Sequence, residues 1–150
     1  MTNEEAFSKL LKYCTYQERC HEEVRSKLLS LKVYGNDLEN ILSRLIQNDF
    51  LNEERFAKTY AGSKFRQMGW GRTKIIYQLK FRKISEYCIR EAMKEISPED
   101  YLKTLKSELL KKKKLVLKDK NWQYKTAQYL IGRGYEAELV WRELKENEEY

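Results

Sequence analysis

Leu28-Leu29-Ser30-Leu31-Lys32-Val33-Tyr34-Gly35-Asn36-Asp37-Leu38-Glu39-Asn40-Ile41-Leu42 decides the architecture, because its apolar skeleton returns twice. Leu28, Val33, Leu38 and Leu42 reappear 51 positions on as Leu79, Ile84, Ile89 and Met93, and 51 further on as Leu130, Tyr135, Val140 and Leu144. The short connector Asp49-Phe50-Leu51 likewise returns as Asp100-Tyr101-Leu102. A period of this length marks one helical unit copied in tandem, each copy closing its apolar face on the next. The spacing predicts an all-α chain: an elongated, curved array of three-helix repeats over 1–50, 51–101 and 102–150, with three small successive cores.

One Pro and six Gly among 150 residues leave few breakers, so nearly all of the chain is expected to be helical. Thr2 and Glu5 form a capping box for a helix reaching about Tyr13, which belongs to a preceding partial unit or caps the array. Further helices are expected at about 20–32, 37–48, 52–67, 72–81, 85–96, 98–114, 121–131 and 136–146, with a polar linker at 115–120. Asn52 and Ser85 stand at N-cap positions and Pro98 at a first helical position. The last repeat reads as incomplete, so a capped monomer is expected.

No run of about 18 apolar residues exists, and the acidic start Met1-Thr2-Asn3-Glu4-Glu5 lacks the order of a secretory signal. Three cysteines, Cys14, Cys20 and Cys88, are too few and odd in number for a disulfide framework. A cytoplasmic protein is expected.

Charge is segregated. Residues 1–61 hold 9 basic and 10 acidic side chains, whereas residues 62–125 hold 18 basic and 7 acidic. Lys64/Arg66, Arg72/Lys74, Lys80/Arg82/Lys83 and Lys111 to Lys114 make the middle electropositive, which suits a polyanion such as nucleic acid, or an acidic protein. The stretch from Glu136 to Glu149 is an acidic tail that either mimics DNA or offsets the basic midsection. Trp70, Trp122 and Tyr124 lie close in sequence to basic groups, the combination that serves base stacking with phosphate neutralisation. Trp70, isolated by Gly69 and Gly71, is the candidate for exposure; Trp141, between Val140 and Leu144, is expected in the core.

Catalysis finds little support. The lone His21 reads as a surface residue, and Cys14, Cys20 and His21 cannot complete a zinc site unaided. Glu53-Glu54 reads as first-turn acid at a helix start. Gly69-Trp70-Gly71-Arg72 precedes a helix but lacks the Lys-Ser/Thr end of a nucleotide loop, and reads as a connector. No catalytic residue, metal or cofactor is expected.

Asp49-Phe50-Leu51-Asn52-Glu53-Glu54-Arg55-Phe56-Ala57, followed by Tyr60, Lys64-Phe65-Arg66 and Gly69-Trp70-Gly71-Arg72-Thr73-Lys74-Ile75, resembles the signature of the RecX family of recombinase regulators. Leu79-Lys80, Ile84-Ser85 and Tyr129-Leu130-Ile131-Gly132-Arg133-Gly134-Tyr135 extend the resemblance over roughly 10–145. Two positions depart from it. Asn52 stands where the family commonly has Asp, a harmless exchange at a cap, and Thr73 where it often has Pro, an exchange expected to loosen the start of that helix.

The resemblance implies tandem three-helix units that bind the RecA recombinase filament on single-stranded DNA, lie along its groove, and dampen ATP hydrolysis, strand exchange and coprotease activity. Lys64, Arg66, Trp70, Arg72 and Lys74, then Lys80, Arg82 and Lys83, with Arg133, are the expected contact residues. Reversing the charges of Arg72 and Lys74 together is expected to spare the fold. Charge alone equally fits a general single-stranded nucleic-acid binder or a helical-repeat adaptor for an acidic protein.

Overall fold

A computed structural model describes residues 1–146. These residues form helices α1 (Asn3–Tyr16), α2 (His21–Ser30), α3 (Gly35–Gln47), α4 (Glu53–Met68), α5 (Arg72–Phe81), α6 (Glu86–Met93), α7 (Pro98–Val116), α8 (Trp122–Gly132) and α9 (Ala137–Glu146), with no strand among them. None of the described helices is long and apolar enough to cross a membrane.

Local chemistry places the helix starts. The Thr2 hydroxyl accepts the Glu5 amide at 3.1 Å and the Asn52 side chain accepts that of Arg55 at 2.9 Å. Ser85 and Ser97 cap α6 and α7 in the same way. Each such cap satisfies an amide that the helix leaves unpaired. The 51-residue period is visible in the backbone itself. Lys32, Lys83 and Gly134 all take positive φ, at 62°, 60° and 105°. After each, the chain makes the same bond back into its helix: Val33 to Leu28 at 3.0 Å, and Ile84 to Leu79 and Tyr135 to Leu130 at 3.1 Å. This left-handed step turns the second helix of each unit into the third.

The helices associate as α1–α2–α3, α4–α5–α6 and α7–α8–α9. α1 is therefore the first helix of the first unit, neither a remnant nor a cap, and the last unit has all three helices. The apolar residues form two cores in place of three. One holds Ala6, Leu10, Val24, Leu28, Leu42 and Leu45 of the first unit. The other runs from Phe56 through Leu79 and Leu105 to Leu144, takes in both later units, and also buries Cys20 from the start of α2. The reason lies in α7: the Tyr101 ring sits 5.9 Å from that of Phe65 on α4 and 5.2 Å from that of Tyr135. One buried aromatic thereby closes both units at once.

Two further expectations change. Trp141 is 41% exposed, because Val140 and Leu144 take the buried stripe of α9 and turn the indole outward. α7 continues past Lys114 to Val116, where its closing lysines complement the helix dipole. Of that lysine run, Lys113 is buried, with its ammonium 4.9 Å from the Trp122 ring, and Lys112 lies 4.8 Å from the Tyr129 ring.

Candidate nucleic-acid interface

Phe56, Tyr60 and Lys64 recur at four-residue spacing and share one flank of α4. At its end Gly69 adopts φ 67°, a left-handed cap that folds the chain back so that the Trp70 amide reaches the Lys64 carbonyl at 3.2 Å. The indole lands edge-on against Tyr60, with ring centroids 6.4 Å apart, and is half-buried. The ammonium of Lys64 lies 5.0 Å from the Trp70 ring centre and that of Lys74, one turn into α5, lies 4.4 Å away. The Arg82 guanidinium lies 4.9 Å from the Tyr60 ring, oriented by the backbone carbonyl of Gln78 at 3.1 Å and its side-chain oxygen at 3.0 Å. Three of the nine expected residues, Lys64, Lys74 and Arg82, thus surround one aromatic pair, and a fourth, Trp70, belongs to it. Cations over ring faces hold both partners in place and leave the ammonium groups partly hydrated.

Beside this cluster lies a cavity of about 390 Å³, lined by Glu18 and Glu23 of the first unit and Phe56, Tyr60, Lys64 and Arg82 of the second. Burial pushes the Tyr60 phenol above its ordinary value, Arg82 pulls it down and Glu23 pushes it up again. The ring stays neutral at physiological pH and serves as an apolar plate. Glu18 is engaged by Arg55 at 2.6 Å. Flat aromatic surface flanked by cations is the equipment for stacking a base and neutralising its phosphates.

The other five residues go elsewhere. Arg66 folds back along α4, its guanidinium filling the space a β-carbon on Gly62 would need, 2.5 Å away. Lys80 is exposed on α5. Lys83 is exposed too and pairs with Glu22 at 3.8 Å. Arg72 and Arg133 are taken up by the joint between the second and third units. The Arg72 guanidinium lies 3.8 Å from the Tyr101 ring and bonds Glu136 at 2.9 Å, while the Tyr101 hydroxyl accepts the Arg72 amide at 3.0 Å and donates to Glu136. Desolvation and that carboxylate push the Tyr101 phenol far above its ordinary range. Arg133 donates to the Met68 carbonyl, and the Tyr135 hydroxyl donates to the Gly69 carbonyl at 2.8 Å.

Thr73 corrects the expectation of a loosened helix start. α5 begins at Arg72, and the Thr73 amide donates to the Gly134 carbonyl at 2.9 Å, beside the Gly71 amide on the Arg133 carbonyl at 2.9 Å. Proline could not donate the first of these bonds. Of the acidic stretch, Glu136 is paired in the joint and Glu143 is buried on α9, Glu138 and Glu146 are exposed, and 147–150 lie outside the described residues. Tyr60, named in the RecX-like motif but not among the expected contact residues, is the member of the cluster that sequence reasoning missed. Its signal was its place four residues before Lys64.

Among the described residues no three His, Cys, Asp or Glu side chains converge as a metal site requires. His21 is half-buried at the start of α2. All three cysteines are free and buried.

Residues 52–93 match the RecX second three-helix domain. A regulatory protein RecX from Halalkalibacterium halodurans is 26% identical over 139 residues, which cover 91% of this chain and 52% of that protein. One from Bacillus licheniformis is 26% identical over 144 residues, covering 95% and 55%. One from Clostridium acetobutylicum is 28% identical over 147 residues, covering 94% and 68%. The chain thus spans about half the length of the first two, at 52% and 55%. The crystal structure of RecX from Lactobacillus salivarius superposes with a TM-score of 0.86 at 22% identity over 96% of this chain and 95% of that one. Sequence similarity along nearly the whole chain and a matched middle domain make this chain similar to RecX proteins, and it shares its array of helices with the solved RecX structure.

Proposed function

We propose that this chain is a regulator of the RecA recombinase that binds the filament formed on single-stranded DNA and dampens its ATP hydrolysis, strand exchange and coprotease activity. The observation that carries the reading is the Trp70 indole with Lys64 and Lys74 at 5.0 and 4.4 Å from its ring centre. That cluster meets nucleic acid by stacking and by charge, and an array of units meets several equivalent sites on a helical partner, so weak contacts add through effective concentration. Occupying the groove blocks a second duplex and holds neighbouring protomers in a state poor for ATP turnover. The chain acts in the cytoplasm, needs no cofactor and catalyses nothing itself.

The test is steady-state ATP hydrolysis by RecA on single-stranded DNA with this chain titrated from far below to above the recombinase. Inhibition well below one-to-one is expected, and a Lys64→Glu, Lys74→Glu double variant should lose it. The same stack favours one second reading, a general single-stranded nucleic-acid binder. Inhibition only where the chain competes for bare DNA, with a salt slope of about −0.7 per phosphate contacted, would establish that reading instead.

A further inference from the structure

The two joints between units are built from the same positions. Across the first, Glu22 at the start of α2 pairs with Lys83 in the turn between α5 and α6, at 3.8 Å. Across the second, the Thr73 amide at the start of α5 bonds the Gly134 carbonyl, in the turn between α8 and α9, at 2.9 Å. Glu22 and Thr73 are 51 positions apart, and so are Lys83 and Gly134. Each unit therefore offers the start of its second helix to the second turn of the unit that follows.

Continuing the series by 51 from Thr73 leads to Tyr124, at the start of α8 in the third unit, and back by 51 from Lys83 to Lys32, in the second turn of the first unit. Neither is used inside the chain's own joints. Tyr124 is 56% exposed, and its hydroxyl is met by Gln128 of its own helix. Lys32 is exposed, makes no ion pair among the described residues, and holds the same left-handed conformation, φ 62°, as Lys83 at φ 60°. The flanks match as well: Leu117 and Tyr34, 50% and 58% exposed, give each end apolar surface.

We infer that a second copy of this chain docks head to tail, the start of α8 in one copy receiving the turn between α2 and α3 of the next, with Lys32 over the Tyr124 ring. The docking surface continues the two internal joints, and a Lys on a Tyr face is a favourable substitute for the Glu22–Lys83 pair. Such a contact is heterologous and, repeated, open-ended. It extends the array of repeats beyond one chain and stands independently of the function proposed above.

Sedimentation equilibrium over three decades of concentration tests it. The weight-average mass should rise continuously past two copies. Lys32→Glu and Tyr124→Lys, both on exposed side chains, should each keep the thermal midpoint and shift association to at least tenfold higher concentration. Mixing the two variants should restore association, because Glu at one end then meets Lys at the other. A mass of one copy throughout, a plateau at two copies, or a mixture no more associated than either variant alone overturns the proposal.

Discussion

Gly71 and Gly134 meet backbone to backbone: a β-carbon on Gly71 would fall 2.3 Å from the carbonyl carbon of Gly134. Gly71 itself has φ −80°, a conformation open to any residue, so the need for glycine there is spatial, not conformational. Gly71→Ala should therefore cost about 2–3 kcal/mol through overpacking, lowering the melting temperature by roughly 5–10 °C. Gly132→Ala is the control. Nothing stands within 4 Å of a β-carbon there, and calorimetry should find it unchanged or slightly stabilised.

Arg72 and Lys74, two residues apart on α5, should separate into a structural and a binding role. Arg72→Glu sets a carboxylate against Glu136 and removes the cation from the Tyr101 ring, and should destabilise the chain by about 2 kcal/mol. Lys74→Glu should change stability by less than about 0.5 kcal/mol while weakening the inhibition of RecA proposed above. The fold is thus predicted to tolerate reversal at Lys74 and to be weakened by reversal at Arg72. Equal melting temperatures for the two variants would refute the division.

The two cores should unfold with different boundaries. Leu28 and Leu130 are both fully buried and 51 × 2 positions apart in the repeat, and truncating either to Ala should cost about 2–5 kcal/mol. Hydrogen exchange in Leu28→Ala should quicken in α1–α3 and leave α7–α9 protected. In Leu130→Ala it should quicken from α4 to α9. Exchange rising uniformly in both would show one cooperative core.

Alkali should weaken the fold before acid chemistry matters to these groups. Burial raises Cys14 and Cys20 from the ordinary 9.0 to about 11, and Tyr135 from 10.0 to about 12. A raised folded value means that the unfolded chain loses its proton first, so stability from these groups is complete below pH 9 and is lost as pH climbs through 11 to 12. The melting temperature should be flat from this source up to pH 9 and fall above it. Iodoacetamide at pH 8 should modify Cys14 and Cys20 only at the rate of unfolding, since the thiolate is the reactive species.

The repeat, the helices and the Thr2, Asn52, Ser85 and Pro98 starts were legible because period and caps are local properties of sequence. The left-handed step at 32, 83 and 134 was hidden, since two of its three occupants are lysine and only Gly134 signals it. The pairing of Arg72 with Glu136 and of Gly71 with Gly134 was hidden for another reason. Those residues are distant in sequence, and a basic cluster on one helix does not disclose which of its charges face an acid from another unit. Lys64, Trp70 and Lys74 could be grouped in advance because a single glycine turn joins the helices that carry them. Tyr60 escaped because an aromatic at helical spacing reads as core whether or not its edge meets a cation.

The two joints differ in what crosses them. Backbone bonds from Gly71 and Thr73 tie the second unit to the third, whereas the first is tied to the second by side chains, Arg55 to Glu18 at 2.6 Å and Lys83 to Glu22 at 3.8 Å. Main-chain bonds admit little adjustment, while long side chains can stretch and re-pair at small cost. The array is accordingly built like a finger with one knuckle: a distal segment fused by main-chain bonds, and a proximal unit held to it by ion pairs and by Cys20, which is buried in the distal core.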